Sequence, residues 1–161
     1  MTTTRIPSSP AQFARITGLL YLLIAVFGGF SMGYLPTVIL EQGDATATVR
    51  NITENQGLFK TGILAEIIVC LLEVFITVRL YRLLKPVNNT LSMTAAVARL
   101  VMIIVIGIGL VAHLIPLHIL SKPAYLNVFE TTQLDSLVLF SLNIHQFTVY
   151  IWQFFFTLHL I

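Results

Sequence analysis

Charged residues are scarce in this sequence. Asp, Glu, Lys and Arg make up 10% of the 161 residues and hydrophobic residues 57%, whereas an ordinary soluble domain is roughly 25% charged. Nine basic and seven acidic side chains cannot cover the surface of so apolar a protein in water. The basic residues form no stripe with interleaved aromatic residues, which excludes a nucleic-acid partner. The composition therefore predicts that the lipid bilayer is the main partner of this chain.

Cysteine and catalytic signatures are also scarce. Cys70 is the one cysteine, so an intrachain disulfide is excluded. The sequence contains no Gly-rich phosphate loop, no nucleophile elbow and no H-E-x-x-H zinc signature. No cofactor is therefore indicated by a motif, and the sequence favours a protein that is not an enzyme.

Long hydrophobic runs are what the sequence does contain. A helix needs about 20 apolar residues to cross a hydrocarbon core roughly 30 Å thick, and four segments meet or approach that length. They cover approximately residues 13–35, 61–84, 93–120 and 142–161. The prediction is an all-α integral membrane protein whose residues 12–161 form a bundle of four transmembrane helices. Residues 1–11, rich in Thr, Ser and Pro, are predicted to be a flexible tail.

The connections between the four segments carry further signals. A tight polar turn at residues 85–89 predicts that the second and third segments form an antiparallel hairpin. In the first loop, Asp44 is placed to cap a short amphipathic helix that ends near Asn55. In the third loop, apolar residues recur at helical spacing over residues 134–141. Both segments are predicted to be short surface helices in the two outer loops.

The charges divide unevenly between the two sides of the predicted bundle. One side collects basic residues and no acid, namely Arg5, Arg15, Arg79, Arg82 and Lys85. The other side collects Glu41, Asp44, Glu54, Glu130 and Asp135 against Arg50, Lys60 and Lys122. Because basic residues are retained on the cytoplasmic side of a membrane, the N-terminus is predicted to be cytoplasmic.

Two charged residues lie at matching depths in the second and third segments. Glu73 is about three turns from the cytoplasmic end of its predicted helix, and Arg99 is about two turns from that end of the next. A charge near the bilayer centre is costly, so such residues face the bundle and find a partner. The interpretation is an ion pair across the hairpin that fixes helix packing. A role in charge relay or substrate binding is the alternative.

A second polar group is predicted nearer the outer side. Glu66 and His113 lie at similar depths, and His145 enters the fourth segment near the same surface. A carboxylate and two imidazoles have the chemistry to bind zinc or to relay protons. The favoured interpretation is plain hydrogen bonding between helices, since the spacing matches no metal motif, and a metal site or a proton-handling or ligand-binding role is the alternative. His159, further along the fourth segment, completes the candidate polar cluster.

Several strings resemble one bacterial membrane-protein family. They are residues 14–21 (ARITGLLY), 43–45 (GDA), 80–88 (LYRLLKPVN), 99–100 (RL) and 155–159 (FFTLH). With them the chain, from about Phe13 onwards, resembles the family called domain of unknown function 4386. The resemblance implies a six-span fold of which this chain supplies the first four spans, with Glu66, Glu73, Arg99, His145 and His159 at polar positions of the family. It also implies a multi-pass protein of the bacterial cytoplasmic (inner) membrane, and it brings no assigned activity.

Three functions are compatible with these features. The favoured hypothesis is a non-catalytic membrane component or accessory subunit of a larger assembly, with other membrane-protein subunits as partners. The second is a transporter of protons or a small solute along a buried Glu, Arg and His path. The third is a metal-dependent intramembrane enzyme that uses Glu66, His113 and His145.

Overall fold

A computed structural model describes residues 9–158, with the exception of the Pro10 side chain. Within that range the chain is helical and contains no strand. The helices are α1 (Pro10–Gly28), a π-helical segment (Gly29–Tyr34), α2 (Leu35–Ile39), α3 (Ala45–Glu54), α4 (Gln56–Leu84), α5 (Asn89–Leu120), a 3₁₀ turn (Ala124–Val128) and α6 (Thr131–Leu158). The predicted all-α class is confirmed.

Two of the helices in the described range are long and apolar enough to cross a membrane. One is the continuous run Ala11–Ile39, 29 residues long, made of α1, the π-helical segment and α2, and the other is α5, 32 residues long. These two helices favour association with a membrane. The presence of four transmembrane helices stays a prediction.

The N-terminal boundary differs slightly from the predicted one. The Ser9 hydroxyl accepts a hydrogen bond from the Gln12 amide at 3.2 Å, and Pro10 occupies the first helical position, where its missing N–H costs nothing. Residues 10 and 11, predicted to belong to the tail, are therefore part of α1. The rest of the predicted tail, residues 1–8, lies outside the described residues.

The short helix predicted in the first loop is present as α3. Asp44 caps it, with its carboxylate accepting from the Ala47 amide at 2.8 Å. The apolar side of α3 is covered by the protein, because Ile52 is fully buried in a core cluster with Leu35, Phe59 and Val138. The helix is therefore docked on the end of the bundle.

The second predicted surface helix does not exist as a separate element. Residues 134–141 are instead the first turns of α6, which begins at Thr131, well before the predicted start near residue 142. Asp135, predicted among the charged residues of the outer side, is buried and accepts a hydrogen bond from Thr46 of α3 at 3.1 Å. The amphipathic pattern thus reflects packing against α3.

The long helices pack in chain order. The run Ala11–Ile39 contacts α4, α4 contacts α5, and α5 contacts α6. The hairpin of α4 and α5 is confirmed, with Asn88 capping α5 through its contact with the Leu91 amide at 3.0 Å. A cleft remains between α1 and α6, the first and last helices of the row.

Candidate functional site

Both predicted carboxylates lie on one face of α4. Glu66 and Glu73 are seven residues apart, or about two helical turns, so their side chains leave the helix in nearly the same direction. Both residues are almost completely buried, at 1% and 3% exposure. The face of α4 that carries them points into the bundle, where each carboxylate meets a different set of partners.

Glu73 belongs to a hydrogen-bonded network around Arg99, which is fully buried. Arg99 Nη2 donates to Glu73 Oε2 across the hairpin. Its Nε donates to the Thr77 hydroxyl at 3.1 Å, and its Nη1 donates to the Tyr21 hydroxyl at 2.6 Å. A single guanidinium therefore joins α1, α4 and α5.

A second arginine joins α4 to the N-terminal part of α1. Arg79 Nε donates to the Thr17 hydroxyl at 2.9 Å, and its Nη2 donates to the Phe13 carbonyl at 2.8 Å. The guanidinium carbon also lies 3.9 Å from the centroid of the Phe13 ring. The sequence indicated Arg79 only as a marker of the cytoplasmic side, and nothing in its spacing revealed this packing role.

Glu66 belongs to a separate cluster with two histidines from two other helices. His113 Nδ1 of α5 lies 2.8 Å from Glu66 Oε2, and His145 Nε2 of α6 lies 2.9 Å from Glu66 Oε1. The two imidazole rings lie 4.2 Å apart, centroid to centroid, and are tilted by 35°. One potential ligand atom from each of the three residues lies within 4.8 Å of the others. The structure thus brings together Glu66, His113 and His145, and their role as a site stays a prediction.

Two glycines allow the helices to approach closely beside this cluster. Gly62 lies one turn before Glu66, and a Cβ there would be 2.2 Å from a Leu35 methyl group. Gly109 lies one turn before His113, and a Cβ there would be 2.3 Å from the Thr148 hydroxyl oxygen. A side chain at either position would therefore require Leu35 or Thr148, or the helix that carries it, to shift.

A small cavity adjoins the cluster. It has a volume of about 30 Å³, and His113, His145, Phe59 and Gln146 are among the residues that line it. A cavity needs at least about 10 to 15 Å³ of such volume for one water molecule. The cavity therefore has room for a water or another small ligand beside the two imidazoles.

The cleft between α1 and α6 is larger, with a volume of about 420 Å³. Gly29 and Gly33, the G-x-x-x-G pair of the π-helical segment, line it, and a Cβ at either glycine would meet nothing within 4 Å. Trp152 lines the opposite wall, and its buried indole N–H has no hydrogen-bond acceptor in the described part of the chain. Glu73 and Gln146 also reach this cleft.

One residue of the predicted polar cluster has no described position. His159 lies beyond Leu158, outside the residues that the structure describes. Conversely, the structure shows two partners of Arg99 that the sequence did not predict, Tyr21 and Thr77. A hydroxyl on an apolar helix gives no sequence signal for the neighbour that it will contact.

Residues 16–161 match the model of the family described as Domain of unknown function (DUF4386). No curated protein and no solved structure matches the chain. Because the family model covers nearly the whole sequence, the chain belongs to this family.

Proposed function

We propose that this member of the DUF4386 family is a non-catalytic component of a larger membrane assembly. In this proposal it is a four-span protein of the bacterial cytoplasmic membrane with a cytoplasmic N-terminus. Its partners are the lipid bilayer and the helices of other membrane-protein subunits. The buried polar residues hold its helices together and leave one face open for a partner.

The proposed topology rests on helix length and on the distribution of charge. Helices α4 and α6 are 29 and 28 residues long, enough to span together with the run Ala11–Ile39 and α5. The turn between α4 and α5 follows Arg79, Arg82 and Lys85, which favours a cytoplasmic position for that turn.

Two matched positions test this topology. Val87 lies in the turn between α4 and α5 and is 85% exposed, while Val128 lies in the loop before α6 and is 82% exposed. Each is changed to cysteine in a Cys70→Ala background. We expect a membrane-impermeant maleimide to label Val128→Cys in intact cells and Val87→Cys only after permeabilisation. Labelling of Val87→Cys in intact cells would contradict the proposed orientation.

The observation that carries the assembly role is the open cleft between α1 and α6. Small residues four apart let two helices approach closely in a membrane, yet Gly29 and Gly33 have no such neighbour among the described residues. A transmembrane helix of another subunit would supply such a neighbour.

Bulky substitutions in the cleft test this role. A Cβ at Gly33 meets no atom of the described chain within 4 Å, so Gly33→Leu should leave the fold intact while blocking a partner helix. Gly18→Leu is the matched control, because Gly18 is also open but does not line the cleft. By native mass spectrometry from membranes, wild type and Gly18→Leu should give the same complex of defined stoichiometry. Gly33→Leu should give the chain alone. A monomer from wild-type membranes would contradict the proposal.

Transport of protons or a small solute is a second candidate, favoured by the polar residues in the same cleft. Glu73 and Tyr21 line it beside Gln146 and Gln153, and Gln146 also lines the small cavity at the histidines. The test is flux into liposomes that contain the purified protein. Transport predicts flux that Glu73→Gln abolishes, whereas the assembly role predicts no flux from wild type.

A further inference from the structure

We propose that Glu66, His113 and His145 bind a divalent transition-metal ion of the zinc type. The site would join α4, α5 and α6, and each helix would supply one ligand. This inference is independent of the assembly role, because a bound metal ion is compatible with any of the functions considered above.

The spacing of the three ligand atoms is close to what zinc requires. Zinc binds histidine nitrogen and carboxylate oxygen at about 2.0 to 2.1 Å in tetrahedral geometry, which separates neighbouring ligand atoms by roughly 3.3 Å. The nitrogens of His113 and His145 lie 2.8 and 2.9 Å from the Glu66 oxygens. All three ligand atoms lie within 4.8 Å of one another, so side-chain movements that change each distance between them by no more than about 1.5 Å would bring them to this spacing.

The types of donor also fit. Two imidazoles and one carboxylate form the ligand set of several zinc enzymes and of non-haem iron sites. Both histidines present ring nitrogens to the same carboxylate, one through Nδ1 and the other through Nε2. Three protein ligands leave a fourth position, and the cavity of about 30 Å³ beside His113 and His145 has room for a water there.

The charge of the cluster gives a second reason for a cation. A carboxylate buried in an apolar helix needs a positive partner. In the described part of the chain, Glu66 is hydrogen-bonded to the two imidazoles, which are charged only when protonated, and it forms no ion pair with a Lys or Arg. A divalent ion would supply positive charge directly between these groups.

The surroundings hold the three ligands in place before any ion binds. The Phe59 ring packs edge-on against His113 at 5.0 Å, with an interplanar angle of 79°. The close approaches at Gly62 and Gly109, each one turn before a ligand, fix the spacing of the helices. Ligands held on packed helices give a more exact site than ligands on loops.

The test measures zinc bound to the full chain, purified in detergent, stripped with a chelator and returned to buffered Zn²⁺. We expect about one zinc ion per wild-type chain by elemental mass spectrometry. His113→Gln and Glu66→Gln should each weaken binding by at least about 100-fold, since even the loss of a residue that only hydrogen-bonds a metal ligand costs 10- to 100-fold. Added Zn²⁺ should raise the Tm of wild type.

A matched control lies on the same helix. His118 lies five residues beyond His113 in α5. It is exposed and contacts the Tyr125 hydroxyl. His118→Gln should bind zinc as wild type does. Binding of Co²⁺ to the wild-type protein can be measured independently, because Co²⁺ in a tetrahedral site of nitrogen and oxygen ligands absorbs visible light intensely. Folded wild type that binds no zinc, or equal loss in His113→Gln and His118→Gln, would overturn the proposal.

Discussion

Two buried carboxylates on one face of α4 differ in the kind of partner that each one meets. Glu73 contacts Arg99, a permanent cation that also reaches Thr77 and Tyr21. Glu66 contacts two imidazoles, which are good metal ligands and do not carry a permanent charge. The group around Glu73 is therefore suited to holding helices together, whereas the group around Glu66 is suited to binding an ion.

The largest effect is expected from removing the cation of the first group. Arg99→Leu leaves Glu73 buried without its counter-charge, which should lower the free energy of unfolding by about 3 to 5 kcal/mol. Unfolding by SDS in mixed micelles measures it. The double variant Glu73→Leu/Arg99→Leu should recover most of the loss, because no charge is then left unpaired. Equal stability of Arg99→Leu and wild type would show that the network does not stabilise the bundle.

A smaller effect is expected from separating α5 and α6 near the second group. Gly109→Ala places a methyl group against Thr148 and should cost about 1 to 3 kcal/mol, while weakening zinc binding through displacement of His145. Gly107→Ala is the matched control, since a Cβ there meets nothing within 4 Å. It should stabilise the helix by up to about 1 kcal/mol. If the two variants have the same free energy of unfolding in the SDS titration, the close approach at Gly109 does not contribute to stability.

The smallest effect is expected from a single hydrogen bond of the first group. Thr77→Val removes the acceptor of Arg99 Nε at nearly constant volume and should cost about 1 kcal/mol. Zinc binding should not change, because Thr77 lies about three helical turns from Glu66 along α4. Thr61→Val, at an exposed threonine of the same helix, should change stability by less than about 0.5 kcal/mol. A Thr77→Val variant that loses zinc would show that the two groups are coupled.

The sequence predicts the helices better than it predicts their contacts. Run length identified the helical segments, and the polar turn at residues 85–89 identified the hairpin of α4 and α5. Hydropathy could not identify the start of α6. Asp135 is charged and so looks like a loop residue in the sequence, although it is buried in the structure and hydrogen-bonded to Thr46. The π-helical segment Gly29–Tyr34 was also missed, since a local change in helical winding leaves no periodic signal in so apolar a stretch.

The candidate site shows the same division. Matching depths along neighbouring helices were enough to name Glu73 with Arg99, and Glu66 with His113 and His145. The depth of a residue along its helix does not determine how that helix is rotated about its axis. The rotation depends on packing contacts such as those at Gly62 and Gly109. The hydroxyls around Arg99 and the cleft between α1 and α6 therefore required the structure.

The most direct test of the difference between the two carboxylates is the zinc bound per folded chain in Glu66→Gln and Glu73→Gln. The two variants make the same chemical change on the same helix, two turns apart. We predict that Glu73→Gln retains about one zinc ion per chain and Glu66→Gln loses it. Equal zinc content in the two variants, whether retained or lost, would contradict the separate roles of the two groups.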